Sequence, residues 1–232
     1  MGRTSAVAII QWWVLYALAA TLGAVLASQP GQARGVFLDF EGIGNNIAIQ
    51  DFYNGGAAAN GAIGPNYEVT FAGSALAIVD SDAGGSGNFA NEPSSKSIMF
   101  WLNDIDIHMN FESGFSQFSL YYSAAVFPGS LSFWTGPNGT GTQVGAVQPL
   151  GVNGSSCGGD PNGTYNCWTR VAVVLPQLAY SATFGGSANY IGFDNVSFNP
   201  QEVPGPLPVL GVGAAFGASR QLRRRLQRSS RG

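Results

Sequence analysis

Three acidic side chains stand near the two ends of the central part of the chain, with a spacing that could bring them around one cation. Asp39 and Glu41 are two residues apart in an alternating segment, so on a strand their carboxylates point the same way. Asp194 lies in the last alternating segment, where the apolar phase slips at Asp194-Asn195 and predicts a β-bulge. If the first and last strands pair, the three carboxylates converge. Oxygen-only clusters suit Ca²⁺, so the sequence predicts a structural calcium site; the alternative is that these acids face water at a strand edge.

A second group of oxygen-bearing side chains lies in a glycine-rich loop, residues 80–92. The loop opens as Asp-x-Asp-x-Gly with Asp80 and Asp82, but Asn91 stands at the position where an EF-hand requires its Glu. The residue types therefore fit an irregular calcium loop or ligand loop, and they also fit a plain surface turn.

Four aromatic side chains lie on predicted strands out of phase with their apolar neighbours: Trp101, Tyr121, Trp134 and Trp168. An aromatic ring on a sheet face can stack on the apolar face of a sugar ring, while nearby amides and acids hold its hydroxyls. These positions are our candidates for binding extracellular polysaccharide. The alternative is that the rings fill a second core or lie under a loop.

Catalytic chemistry has less support in the sequence. The chain has one histidine, His108, on the polar side of a strand, and no nucleophilic serine on a strand-to-helix elbow is predicted to accompany it. A zinc site lacks nitrogen and sulfur ligands. A glycosidase needs only two suitably spaced carboxylates, but nothing singles out such a pair. We therefore expect a protein that is not an enzyme, with a polysaccharide-active enzyme as the less favoured alternative.

The two cysteines, Cys157 and Cys167, lie in a stretch rich in Gly, Asn and Pro. With no second pair and no nearby histidine to complete a metal site, they predict one disulfide that closes a loop. Such a bond indicates an oxidising compartment outside the cytosol.

The elements that would position these residues are short strands. Apolar and polar residues alternate with period two, most clearly over residues 105–112, and no stretch of the central region has a helical period. The 33 glycines and 12 prolines predict frequent turns. We predict an all-β domain over residues 35–200, with about eleven short strands in an antiparallel β-sandwich of jelly-roll type. An N-terminal signal helix and a short C-terminal hydrophobic helix would flank it.

Charge is unevenly distributed along the chain. Between residues 35 and 200, twelve Asp and Glu face only Lys96 and Arg170, a net charge of −10, although the whole chain carries −3. A surface of this sign repels nucleic acid and anionic lipid, so no nucleic-acid partner is expected.

The N-terminal segment, residues 1–33, has a basic residue at Arg3 followed by a long apolar run and small residues suited to cleavage. This pattern predicts a secretory signal peptide; the alternative is an uncleaved N-terminal anchor. Either reading exports the body of the protein.

The C-terminal segment, residues 203–232, combines a proline-rich motif, a short apolar run and an arginine cluster. The defining residues are Pro204, Gly205, Pro206, Arg220, Arg223, Arg224 and Arg225. The apolar run is shorter than the ~20 residues of a stable span, and the arginines stay on the cytoplasmic side. The segment resembles the sorting signal of PEP-CTERM proteins, with Gly205 where the namesake motif has Glu. The alternative is a membrane anchor that is never cleaved.

This resemblance implies a partner and a location. An exosortase-type membrane protease-transpeptidase would remove the tail, after transient anchoring of the protein in the membrane through its C-terminal segment. The body would then be delivered to the cell surface or extracellular matrix.

The body also resembles extracellular modules of PEP-CTERM proteins, as well as carbohydrate-binding jelly rolls and MAM-like adhesion modules. The opening Asp39-Phe40-Glu41-Gly42 and the closing residues 191–198 are shared with all three kinds of module. The PEP-CTERM modules also share Asn66-Tyr67, residues 80–94 and residues 118–124. We therefore expect an exported, non-catalytic protein associated with polysaccharide. A structural coat component without a small ligand is the main alternative.

Overall fold

A computed structural model describes residues 35–159 and 163–199. Ten strands form in this part of the chain. They are β1 (Val36–Leu38), β2 (Ile47–Ala48), β3 (Val69–Ala72), β4 (Leu76–Val79), β5 (Ser97–Phe100), β6 (Asp106–Ser123), β7 (Gly129–Trp134), β8 (Gln148–Leu150), β9 (Thr169–Gly186) and β10 (Gly192–Phe198).

All pairings between these strands are antiparallel, and they join into one sheet in the order β2-β4-β5-β10-β6-β9-β7-β8, with β1 beside β10 and β3 beside β6. The prediction of an all-β antiparallel fold is confirmed. The described residues contain no helix long and apolar enough to cross a membrane. The signal segment (residues 1–33), the sorting segment (residues 203–232) and their two predicted helices lie outside the described residues.

Two long strands replace four of the short strands predicted from the sequence. β6 and β9 each span 18 residues, and their pairing changes register between Asn110 and Gln117. Before this break β6 lies between β3 and β9; after it, β6 lies between β10 and β9. Gly114 at the break has a φ of 72°, a conformation that glycine adopts without a steric cost. The alternation of apolar and polar residues correctly predicted a strand in each half of β6 and β9. It could not show that the two halves form one strand that continues through the bend.

The sheet folds back on itself at this bend, giving a first arm (β3, β7, β8 and the adjoining halves of β6 and β9) and a second arm (β1, β2, β4, β5, β10 and the other halves). Rings from the two arms meet in the core. Phe184 of β9 packs edge-on against Phe193 of β10 with ring centroids 5.0 Å apart, and Phe118 of β6 packs against Phe133 of β7 at 5.2 Å. Each buried ring of this size stabilises the fold by roughly 1.5–3 kcal/mol. The arrangement is consistent with a β-sandwich.

Strand β10 is central to the second arm because it pairs with three neighbours. It pairs with β1 through Val36 and Phe198, with β5 through Phe193 and Met99, and with β6 on its other side. The predicted pairing of first and last strands is therefore confirmed. The predicted bulge is confirmed as well, since the β10–β6 register shifts between Asp194 and Ser197.

Candidate ligand-binding cleft and acidic cluster

A cleft of about 230 Å³ opens beside the β4–β5 hairpin of the second arm. Strand alternation places Ile78 and Ile98, which are register partners, on one face of this hairpin together with Phe100. These side chains form one apolar side of the cleft. The full lining is Ile78, Ser86, Asn88, Phe89, Ile98, Phe100, Tyr165, Asn189, Ile191 and Gly192.

Two loops that pair with each other also line the cleft. One loop follows β4 and carries Phe89; the other precedes β9 and carries Tyr165, and these two residues form a parallel bridge. The Tyr165 N–H donates to the carbonyl of Asn88 at 3.1 Å, and the Ala90 N–H donates to the carbonyl of Tyr165 at 3.3 Å. A Cβ on Gly163 would collide with the backbone of Phe89, so this close approach requires a glycine at position 163.

A disulfide between Cys157 and Cys167 closes the second of these loops, with Cα atoms 5.2 Å apart. The bond confirms the prediction from the sequence. The loop is further held by Asn91, whose side-chain amide donates to the carbonyls of Gly158 and Asn166. The cleft wall is therefore fixed by one covalent bond and several backbone contacts.

The polar groups of the cleft are all uncharged, because its ten lining residues include no acid, lysine, arginine or histidine. Asn88 Oδ1 accepts from the Thr164 N–H at 3.0 Å, and within the described residues the Asn88 amide nitrogen makes no hydrogen bond. Ser86 Oγ accepts from the amides of Asn45 and Asn46 at 3.0 and 2.8 Å. Burial raises the pKa of the Tyr165 hydroxyl, with a smaller contribution from Tyr190, so the hydroxyl stays a neutral donor.

The four aromatic residues predicted to bind polysaccharide do not form one surface. Trp101 is completely buried, stacks on Phe193 with centroids 5.9 Å apart and donates its Nε1–H to the carbonyl of Asp104. Trp101 therefore belongs to the core and not to a ligand-binding face. The sequence prediction was wrong at this residue because β5 ends at Phe100, so strand alternation does not set the direction of residue 101.

The other three aromatics are divided between the arms. In the second arm, Tyr121 of β6 pairs with Asp194 and Arg170. Trp168, just before β9, donates its Nε1–H to the carbonyl of Ala90 at 2.9 Å. Trp134 lies at the end of β7 in the first arm. All three are half-buried, and none of them lines the cleft.

Sequence reasoning missed Phe89 and Tyr165 because both lie in loops, where periodicity gives no side-chain direction. The signal that could have found them is the predicted disulfide, which marks the loop around Tyr165 as fixed. The cleft also uses Asn88, which belongs to the glycine-rich loop that we had singled out for its acids.

The predicted calcium residues Asp39, Glu41 and Asp194 do lie near one another, around the hydroxyl of Tyr53. Burial raises the pKa of Tyr53, and the negative charges of Asp39, Asp194 and Glu41 raise it further. The Tyr53 hydroxyl accepts a hydrogen bond from the Phe40 N–H at 2.7 Å. We call these three acids with Tyr53 the acidic cluster.

The backbone conformation that brings Asp39 and Glu41 into this cluster differs from the predicted strand. Strand β1 ends at Leu38, and Phe40 has a φ of 60°, which is unusual for a bulky residue. Asp39 and Glu41 therefore do not project from one strand face. Instead, the Asp39 carboxylate accepts from the Glu41 N–H at 3.2 Å across a tight turn.

Backbone donors already occupy the carboxylates of the acidic cluster. Glu41 Oε1 accepts from the N–H groups of Lys96 and Ser97 at 2.7 and 2.8 Å. Asp194 is fully buried; its Oδ2 accepts from the Ser94 N–H at 2.6 Å, and its Oδ1 accepts from the Asn195 N–H at 2.7 Å. These bonds fix Ser94 onto β10 and residues 96–97 onto the turn that carries Glu41.

Burial raises the pKa of Asp194 to about 7; the hydrogen bonds from Ser94 and Asn195 oppose this rise, and the Glu41 charge adds to it. Within residues 35–159 and 163–199, no three His, Cys, Asp or Glu side chains come close enough to hold a metal ion together. The cluster as it stands acts as a structural clamp.

The glycine-rich loop after β4 is a self-bonded turn. The carbonyl of Asp80 accepts from the N–H groups of Ala83 and Gly85, and the buried Asp80 carboxylate accepts from the Asp82 N–H at 3.4 Å. Asp82 itself is exposed. This geometry agrees with the surface-turn alternative.

His108 contacts the two side chains that a catalytic arrangement would need. Its Nδ1 lies 3.0 Å from Thr183 Oγ1, and its Nε2 lies 3.6 Å from Asp106. The three residues lie on the paired strands β6 and β9, and none of them lines the cleft.

No protein-family model matches this chain, and no curated protein sequence matches it. Among solved structures, the K1 cleaved adhesin domain of Lys-gingipain from Porphyromonas gingivalis W83 is similar at 16% identity, over 72% of this chain and 98% of that one, with a TM-score of 0.35. The K3 cleaved adhesin domain of the same protein is similar at 16% identity over 55% and 91%, TM-score 0.33. A family 43 arabinoxylan arabinofuranohydrolase from Bacillus subtilis is similar at 13% identity over 60% and 31%, TM-score 0.35. None of them assigns an activity or a ligand to this chain.

Proposed function

We propose that this protein is an exported, non-catalytic surface or matrix protein whose cleft binds extracellular polysaccharide. The observation that carries the proposal is the cleft itself, which is lined by aromatic side chains and amide groups and by no charged residue. The disulfide supports export, because such bonds persist in oxidising compartments.

The chemistry of the cleft suits a sugar ring. The apolar face of a sugar packs on aromatic and aliphatic surface, and its hydroxyls need donors and acceptors in fixed positions. Tyr165 supplies a half-buried ring, and Asn88 and Asn189 supply the amides. The buried side chains of Phe89 and Phe100 complete the apolar lining. The volume lies below the roughly 300–1,000 Å³ of small-molecule sites, so the cleft accommodates one ring of a longer chain and not an entire oligosaccharide.

The finer points of the sequence prediction belong to the same proposal. The β-sandwich would have jelly-roll connectivity, and the tail at residues 203–232 would be read and removed by an exosortase-type enzyme after transient membrane anchoring. The intact mass of protein recovered from the cell surface tests the sorting step. A C-terminus between residues 203 and 208 is expected, and an intact tail in the membrane fraction would contradict it.

Calcium also stays a prediction, at the acidic cluster. It is supported by the proximity of Asp39, Glu41 and Asp194 to one buried hydroxyl. Binding would require these carboxylates to move closer together than they are here. Thermal unfolding with and without millimolar Ca²⁺ tests the prediction: an unchanged midpoint would remove it.

Polysaccharide binding is tested by screening the protein against a panel of immobilised neutral and acidic polysaccharides. Tyr165→Ala should weaken binding about tenfold or more, as truncated aromatic anchors commonly do. Tyr165→Phe keeps the ring and should lose less. Phe37→Ala is the matched control, because Phe37 is a 52% exposed ring on β1 outside the cleft.

Loss of binding in the control as well, or no binding of any polysaccharide by the wild-type protein, would contradict the proposal. Self-association without polysaccharide binding would instead favour a structural coat component. Release of reducing ends from a bound polysaccharide would favour an enzyme.

A further inference from the structure

Two exposed aromatic rings form a ridge beside the cleft. Phe127, in the turn between β6 and β7, is 43% exposed, and Tyr190, just before β10, is 41% exposed. Their rings pack edge to face with centroids 4.9 Å apart and an interplanar angle of 86°. Each ring therefore holds the other in place while leaving much of its surface open to solvent. We call this pair the aromatic ridge.

The backbone connects the ridge directly to the cleft. Tyr190 lies between Asn189 and Ile191, both of which line the cleft. A tight turn, in which the Tyr190 N–H donates to the carbonyl of Ser187 at 3.1 Å, fixes this segment. The Asn189 N–H donates to the carbonyl of the buried Trp101 at 2.8 Å. Because Tyr190 stands between two residues that line the cleft, the ridge adjoins the cleft.

The charge of this region restricts the ligand. No lining residue of the cleft is charged, and neither ring of the ridge is. The surrounding domain carries twelve acids against two bases between residues 35 and 200. A polyanionic chain would be repelled by the acidic domain and would meet no cationic side chain among the lining residues, whereas an uncharged chain would meet aromatic faces and amides.

We propose that the cleft and the aromatic ridge are consecutive subsites for one neutral polysaccharide chain. The cleft holds one ring through Asn88 and Tyr165, and the ridge supports the following rings on Tyr190 and Phe127. This inference rests on the proposed polysaccharide-binding function, and it adds the ligand class and the second subsite.

The test measures binding of the full chain, by calorimetry, to two sets of soluble oligosaccharides. The neutral set is β-1,4-gluco-, β-1,3-gluco- and α-1,6-manno-oligosaccharides of two to six rings; the acidic set is oligogalacturonates and oligoguluronates of the same lengths. We expect binding in the neutral set alone, tightening as length increases. Tyr190→Ala and Phe127→Ala should each weaken hexasaccharide binding about tenfold, which equals about 1.4 kcal/mol, and should leave disaccharide binding unchanged. Tyr165→Ala should weaken both, and Phe37→Ala neither.

Each contrary outcome has a separate meaning. Binding to acidic oligosaccharides would overturn the neutral-ligand inference while keeping the polysaccharide function. Neutral binding that is independent of length and of Tyr190 and Phe127 would overturn the second subsite. If none of these oligosaccharides binds, yet the polysaccharide panel shows binding that depends on Tyr165, the inference of consecutive neutral subsites fails on its own. If the panel shows none either, the proposed function fails with it.

Discussion

The cleft and the acidic cluster lie in the same arm of the molecule, and they differ in what already occupies their polar groups. In the acidic cluster, Glu41 and Asp194 accept hydrogen bonds from four backbone N–H groups. In the cleft, the side chain of Asn88 bonds the described part of the neighbouring loop through its oxygen alone. A group whose bonds are satisfied internally stabilises the fold, and a group with unused bonding capacity can recognise a ligand. The comparison supports a structural role for the acids and the proposed recognition role of the uncharged cleft.

The largest expected effect is the pH dependence of stability through Asp194. Its pKa rises from 3.8 unfolded to about 7 folded, so the folded state holds a proton that the unfolded state has lost across this window. The contribution of Asp194 to the free energy of unfolding is greatest below pH about 4 and is lost as the pH rises to about 7. At about 1.4 kcal/mol per pKa unit the loss amounts to about 4 kcal/mol.

Chemical denaturation at a series of pH values, in the presence of a chelator, measures this dependence. Asp194→Asn should flatten the curve between pH 4 and 7. A curve equally steep in wild type and variant would assign the dependence to other groups. Millimolar Ca²⁺ should remove the slope in the wild-type protein only if the predicted calcium site exists.

Glu41→Ala should have the next largest effect, about 3 kcal/mol of lost stability. The substitution leaves the N–H of the buried Ser97 without its acceptor, which costs about 1–3 kcal/mol, and it removes the exposed bond from the Lys96 N–H, which water can replace at a smaller cost. Denaturant unfolding of Glu41→Ala and Glu41→Gln checks it, because Gln keeps one acceptor oxygen and should lose less. Glu68→Ala, at an exposed acid bonded to Ser113, is the control and should lose little. Equal losses in all three variants would contradict the clamp role.

Reducing the disulfide should destabilise the domain by about 2 kcal/mol, because a short loop loses its closure in the unfolded state. The same change should affect the cleft, since the loop from Cys157 to Cys167 carries Tyr165. The Cys157→Ser/Cys167→Ser variant should therefore unfold at lower denaturant and bind polysaccharide more weakly. Unchanged binding by the folded variant would show that the backbone pairing of Phe89 with Tyr165 is sufficient alone.

The acidic cluster was more predictable from the sequence than the cleft. Pairing of first and last strands and the bulge near Asp194 followed from apolar alternation, which records side-chain direction on strands. The left-handed backbone conformation of Phe40 is not visible in the sequence pattern, because it accompanies a hydrogen bond to Tyr53, thirteen residues away. Phe89 and Tyr165 are joined by a contact between distant loops, and Trp101 is buried by tertiary packing just beyond a strand end. Local patterns therefore located the charged residues but not the cleft.

The smallest expected effect tests the neutrality of the cleft directly. Asn88→Asp keeps the size of the side chain and the oxygen that accepts from the Thr164 N–H, but it adds a negative charge where the lining has none. Stability should change by less than about 0.5 kcal/mol, as for most exposed substitutions. Affinity for a neutral oligosaccharide should fall only a few-fold, because one amide donor is lost.

The matched control is Asn54→Asp, an exposed asparagine of the same type outside the cleft. It should bind as the wild-type protein does. Tighter binding of the neutral ligand by Asn88→Asp would mean that the cleft tolerates charge, and its uncharged lining would no longer define the ligand class. If stability falls by several kcal/mol while affinity is unchanged, Asn88 stabilises the fold and does not bind the ligand. The proposed difference in role between the cleft and the acidic cluster would then be wrong.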